Sequence, residues 1–123
     1  MARQLKKIMV VDDEVLICEL LDEFLTIKGY QVTTAFGGED AIVKFKTDKP
    51  HMVLLDIRMQ GMDGLAVLQT IKDMDSAAGV IMFSAFGDLN IIQKAMQVGA
   101  YKYIQKPIGF GTLLNVLEGW RRL

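Results

Sequence analysis

Four apolar runs of the 123-residue chain end on side chains that can do chemistry. Ile8-Met9-Val10-Val11 stops at three consecutive carboxylates, Asp12, Asp13 and Glu14. The run from His51 to Leu55 stops at Asp56, that from Val80 to Phe83 at Ser84, and that from Tyr101 to Ile104, one residue on, at Lys106. Carboxylates brought together raise one another's pKa unless a cation joins them. A hard divalent ion with oxygen ligands answers that repulsion, and magnesium fits best, because it takes one or two carboxylates, keeps several waters and leaves room for a phosphate. A carboxylate beside magnesium is also a nucleophile toward phosphorus. A lysine would then neutralise phosphoryl charge, and a serine would donate to a phosphoryl oxygen. Each residue also has a plainer reading: Asp13 or Glu14 as the start of a helix, Ser84 as a turn residue, Lys106 as a solvated lysine. The joint placement favours a site.

That placement depends on the elements between these residues. Apolar runs at Lys7 to Val11, Tyr30 to Ala35, His51 to Leu55, Val80 to Phe83 and Tyr101 to Ile104 alternate with segments of helical period. Ile17, Leu20, Leu21, Phe24 and Leu25 make one stripe of a first helix, which Gly29 stops. Ala41, Ile42 and Phe45 mark a second helix, ended before Pro50. Leu65, Leu68 and Ile71 mark a third. Ile91, Ile92, Ala95 and Met96 mark a fourth, stopped at Gly99, and Phe110, Leu113, Leu114, Leu117 and Trp120 a fifth. Five βα units predict an α/β protein with a parallel sheet and helices on both faces. IMVV, MVLL and VIMF are apolar throughout, as strands buried on both faces should be, whereas YQVTTA and YKYIQ are more mixed and suit edges. This predicts a flavodoxin-like, doubly wound sheet of order 2-1-3-4-5, with ligands beyond the carboxyl ends where the winding reverses between strands one and three. Asp12, Asp13 and Asp56 then share one pocket.

The composition fits one globular domain. The hydrophobic fraction is 51% with 24% charged residues, and the net charge of −1 gives no pull toward nucleic acid or anionic lipid. No run approaches the roughly 20 apolar residues of a membrane span. The apolar run after the basic residues of the N-terminus is too short for an export signal. The single cysteine, Cys18, excludes an internal disulfide, suits a cytoplasmic location and reads as a small core residue. His51, before strand three, reads as structural or surface.

Taken together, Asp12-Asp13, the Asp56-Ile57-Arg58-Met59 run leading to Met62-Asp63-Gly64, Ser84-Ala85 and Lys106-Pro107 resemble the response-regulator receiver domain of two-component signalling, a family whose chemotaxis members exemplify this strand order. The resemblance spans essentially all of residues 1–123, read as one receiver domain. It implies a phosphorylation-dependent switch in which Asp56 accepts a phosphoryl group from the phosphohistidine of a sensor histidine kinase or phosphotransfer protein. Asp13 would bind Mg2+ directly and Asp12 largely through water, with Asp56 and the Arg58 backbone carbonyl as further ligands. Ser84 and Lys106 would hold the phosphoryl group. Tyr103 matches an aromatic switch position that turns inward as Ser84 moves. Lys106-Pro107 is often cis in the family, at the bond type where cis is least costly. The readout would be the face of helix four, strand five and helix five, with Asn90, Lys94, Gln97, Lys102 and Tyr103 as members, toward a downstream protein or effector domain; a homodimer could use the same face. Such a domain is not an enzyme beyond its own phosphorylation and slow autodephosphorylation.

Two positions depart from the family pattern. Gln60 replaces the usual proline, which should loosen the loop after Asp56, and Ser84 replaces the frequent threonine. Arg58 and Phe86 match positions that tune phosphoryl lifetime and are expected to shield the acyl phosphate from water. Other functions fit less well. A haloacid-dehalogenase-like phosphatase needs a second Asp two residues after the nucleophile, where this chain has Arg58. A flavodoxin-like carrier needs a phosphate-cradling loop after strand one, where Asp12 and Asp13 would repel the phosphate. A degenerate receiver that binds partners without phosphorylation stays as the alternative.

Overall fold

Continuous apolar runs form the three inner strands. The computed structural model describes residues 6–59, 63–84 and 89–120, so Gln60, Met62, Ala85 and Phe86 lie outside the described residues. β1 (Lys7–Val11), β2 (Gln31–Ala35), β3 (Met52–Asp56), β4 (Gly79–Ser84) and β5 (Lys102–Gln105) alternate with α1 (Val15–Ile27), α2 (Gly38–Asp48), α3 (Gly64–Met74), α4 (Leu89–Val98) and α5 (Phe110–Gly119). The strands pair in parallel in the order β2-β1-β3-β4-β5, as the apolar and mixed runs predict. β3 and β4 are buried along their whole length, while β2 and β5 at the edges are mostly half-buried or exposed.

The pleat divides the core. Met9, Val11, Val53, Leu55, Val80 and Met82 face α2, α3 and α4, with Ala41, Phe45, Val67, Leu68, Ile71 and Ala95. Ile8, Val10, Leu54, Ile81 and Phe83 face α1 and α5, with Cys18, Leu21, Leu25, Leu113, Leu117 and Trp120. Cys18 is a buried core residue as expected, and burial, followed by the Asp12 charge, pushes its thiol up to about 11, far from a reactive thiolate. Gly29 stops α1 in the left-handed region at φ +97°, where the glycine lacks a Cβ to clash.

The α1 stripe differs from expectation at one position. Leu21 and Leu25 are buried and Ile17 and Phe24 half-buried, but Leu20 is 49% exposed. It shares the outside of the helix with Val15 and Leu16, the latter 67% exposed. Phe110 likewise stands at the surface, stacked on Phe24 with ring centroids 4.3 Å apart.

Candidate functional site

The register carries the acidic residues to one rim. Val11 pairs with Leu55, so Asp12 and Asp56 are the next residues of adjacent strands, and Asp56 itself pairs with Phe83. Main-chain bonds continue the rim past the strands: Asp12 N donates to Ala35 O at 3.1 Å, Ile57 N to Phe83 O at 3.0 Å and Lys106 N to Ser84 O at 2.8 Å. Asp12, Asp56 and Ser84 are the buried polar residues of the described chain.

Each buried carboxylate divides its two oxygens between a backbone amide and Lys106. Asp12 Oδ1 accepts from Glu14 N at 2.9 Å and its Oδ2 from Lys106 Nζ at 2.8 Å. Asp56 Oδ1 accepts from Arg58 N at 3.1 Å and its Oδ2 from Lys106 Nζ at 3.3 Å. Lys106 Nζ also meets Glu14 Oε1 at 3.5 Å and stands 5.0 Å from the centre of the Phe83 ring. The helix-start reading of the acidic lip holds for Glu14, which is the N-cap residue of α1, but its amide is held by Asp12 Oδ1 while Asp12 Oδ2 turns to Lys106.

Carboxylate oxygens of Asp12, Asp13 and Asp56 lie within 4.8 Å of one another, the two buried and Asp13 exposed. Burial, then the Asp12 charge, outweighs the Arg58 amide and Lys106 and raises the Asp56 carboxyl to about 6. Burial alone would lower the Lys106 ammonium, but its hydrogen bond and charge pairing with Asp12, then Asp56, turn the net shift upward. An all-oxygen cluster whose carboxylates outnumber the ammonium bridging them matches a hard divalent cation that retains water, so the residues fit magnesium.

Ser84 closes β4 beside this rim, and the Lys106-Pro107 peptide is cis as expected. Tyr103 packs against the α2–α4 side of the core, with its hydroxyl 3.5 Å from the Ser84 carbonyl. Arg58 is exposed, next to the Asp56 carboxylate that its amide holds. Asn90, Lys94, Gln97 and Lys102 are exposed on α4 and β5. His51 lies at the opposite end of the sheet, its Nδ1 accepting from Lys6 N and Lys7 N at 3.3 and 3.2 Å, a structural histidine.

Two features went unread in the sequence. A Cβ on Gly64 would come within 2.6 Å of the Ile57 carbonyl oxygen and 2.7 Å of that of Asp56, so a side-chain-free residue lets α3 start directly against the backbone of the acidic strand end. Gly64 N donates to Ile57 O at 3.2 Å, and Asp63 caps the helix by accepting from Leu65 N at 2.9 Å. The glycine in Met62-Asp63-Gly64 was the available signal, but proximity to Asp56 is a tertiary fact. The second feature is an apolar groove of about 440 Å³ that runs from Glu14 and Lys106 along Ile17, Leu20 and Leu21 to Ile108 and Phe110. Among the described residues no helix is long and apolar enough to cross a membrane.

The family description "response regulator receiver domain" matches residues 8–118. The sporulation initiation phosphotransferase F of Bacillus subtilis is 37% identical over 92% of this chain and 91% of its own length. The transcriptional regulatory protein ZraR of Salmonella typhimurium is 37% identical over 90% of this chain, which spans only 25% of that protein. Among solved structures, the CheX–CheY–BeF3–Mg2+ complex of Borrelia burgdorferi superposes with a TM-score of 0.86 at 33% identity, covering 91% of this chain and 86% of that one.

Proposed function

The chain belongs to the response regulator receiver family, and from that premise we propose that it is a switch driven by phosphorylation of Asp56. The observation that carries this reading is the state of that carboxylate. It is buried at the strand end, its oxygen 3.3 Å from the Lys106 ammonium, inside a cluster that Asp12 and Asp13 complete.

An Asp56 carboxylate oxygen would attack the phosphorus of a phosphohistidine on a sensor kinase or phosphotransfer protein. The P–O bond forms as the P–N bond breaks, and the imidazole leaves with a proton from solvent. Asp12, Asp13, Asp56 and the Arg58 carbonyl would hold magnesium, which supplies neutralising charge for the phosphoryl oxygens. Lys106 would leave the carboxylates for one phosphoryl oxygen, and the Ser84 hydroxyl would donate to another. Loss of the group is hydrolysis: water attacks phosphorus, the acyl P–O bond breaks, and phosphate and the free carboxylate return. No separate substrate is turned over, so the chain is not an enzyme in the usual sense. Its product is a conformation, favoured because the phosphoryl group binds one of two states better.

The readout would run through Ser84 and Tyr103, already within 3.5 Å of one another, to the exposed Asn90, Lys94, Gln97 and Lys102 and on to a downstream protein, an effector domain or a second copy. The groove beside Lys106 would receive the histidine-bearing partner. The relatives' names, a phosphotransferase and a transcriptional regulator, support a cytoplasmic signalling role. The test is chemical trapping. After phosphorylation, borohydride reduction should convert residue 56 alone to homoserine on peptide mapping; an acid-stable phosphate on another residue would overturn the assignment.

A further inference from the structure

Glu14 occupies the N-cap position of α1, yet its side chain makes no capping hydrogen bond, whereas Asp63 at the same position of α3 does. The amide that an N-cap side chain ordinarily satisfies, here that of Ile17, donates to the Glu14 carbonyl at 3.1 Å, and the amide of Glu14 itself donates to Asp12 Oδ1. Its carboxylate, 64% exposed, reaches instead across the rim to Lys106 Nζ at 3.5 Å. The ammonium is thus drawn three ways: toward the buried Asp12 and Asp56 at 2.8 and 3.3 Å, and outward toward Glu14.

We infer that Glu14 is a positioning residue that restrains Lys106 at the rim and so slows phosphorylation of Asp56. This rests on the phosphotransfer reading above, in which Lys106 must move onto a phosphoryl oxygen. Asp12 and Asp56 lose their hold on the ammonium when they engage a cation and a phosphoryl group. Glu14 belongs to neither partner set and keeps competing for Lys106. An exposed ion pair is weak, so the effect is a tuning one of roughly two- to fivefold.

The test separates contact from charge. Glu14→Gln removes the charge but keeps an oxygen at the same reach; Glu14→Asp keeps the charge but is one methylene short of Lys106. The rate constant for phosphorylation by acetyl phosphate at saturating magnesium is measured in both, beside the exposed Glu19→Gln on the same helix, with magnesium affinity by calorimetry. The expected result is that both Glu14 variants react roughly two- to fivefold faster, with magnesium affinity changed by less than about twofold and Glu19→Gln unchanged. A Glu14→Asp rate equal to that of the unsubstituted chain, or a Glu14→Gln rate no higher than that of Glu19→Gln, overturns the inference. If the unsubstituted chain binds magnesium but takes no phosphoryl group, the phosphotransfer reading itself fails, a distinct result.

Discussion

The two ends of the sheet solve opposite problems. At the amino ends main-chain groups and one imidazole nitrogen are matched: His51 Nδ1 accepts from the Lys6 and Lys7 amides, His51 N donates to Lys7 O at 2.9 Å, Gly79 N to His51 O at 3.0 Å, and the Trp120 ring lies against Gly79. At the carboxyl ends the Lys106 ammonium bridges Asp12, Glu14 and Asp56, while Asp13 adds a further carboxylate to the cluster. Burial without full charge compensation costs stability. The difference teaches that one end secures the fold and the other holds a strain that a cation and a phosphoryl group relieve.

Changes at each end should therefore move different observables. The largest effect is that of Asp56→Asn, which removes phosphorylation entirely and weakens magnesium binding. Because it also removes a buried, repelled charge, it should stabilise the metal-free protein at pH 7 by about 1–3 kcal/mol in urea unfolding. A loss of stability would show that the carboxyl end is not strained. At the other end, Trp120→Ala should cost about 3–5 kcal/mol of stability and leave magnesium affinity, read by calorimetry, where it was.

The pH dependence sharpens the contrast. Asp56 carries a proton more readily folded than unfolded, its carboxyl raised from 3.8 to about 6. The stability it lends is complete below about 3.8 and lost as pH rises toward about 6, a fall on the order of 3 kcal/mol. Saturating magnesium, which binds the ionised form, should flatten that slope, and Asp56→Asn should abolish it. A metal-free stability that rises across this window would contradict the assignment.

Smaller effects belong to the surface. Leu20→Lys, in the exposed groove, should change stability by less than about 0.5 kcal/mol and leave acetyl phosphate reactivity intact. Transfer from a phosphohistidine partner should slow roughly five- to tenfold; equal losses with both donors would place Leu20 in the chemistry and not in docking. Replacing Arg58 and Phe86 with alanine should shorten the phosphoryl lifetime a few-fold, on the order of 1 kcal/mol, and an unchanged dephosphorylation rate would remove them as shields.

Much of this architecture was legible in residue types. Strands buried on both faces must be apolar throughout, so IMVV, MVLL and VIMF disclosed the inner strands, and the polar residue ending each run disclosed the rim. Gly29 and Gly99 marked helix ends because both adopt positive φ. Periodicity could not set the edge of a helical stripe: Leu20 lies one position from the buried Leu21, and the tertiary packing of α1 decides which of them is covered. Nor could it show that Asp12 shares its oxygens between the Glu14 amide and Lys106, that Gly64 abuts the Asp56 carbonyl, or that Glu14 reaches Lys106. Those distances are set by how the chain folds and not by residue type or period.

The most direct test of the central claim is intact mass after incubation with acetyl phosphate, with and without magnesium, beside Asp56→Asn. The account predicts a magnesium-dependent gain of one phosphoryl group that Asp56→Asn lacks. A chain that binds neither magnesium nor phosphoryl would contradict it, leaving the acidic rim as a helix start and the domain as a phosphorylation-independent binding module.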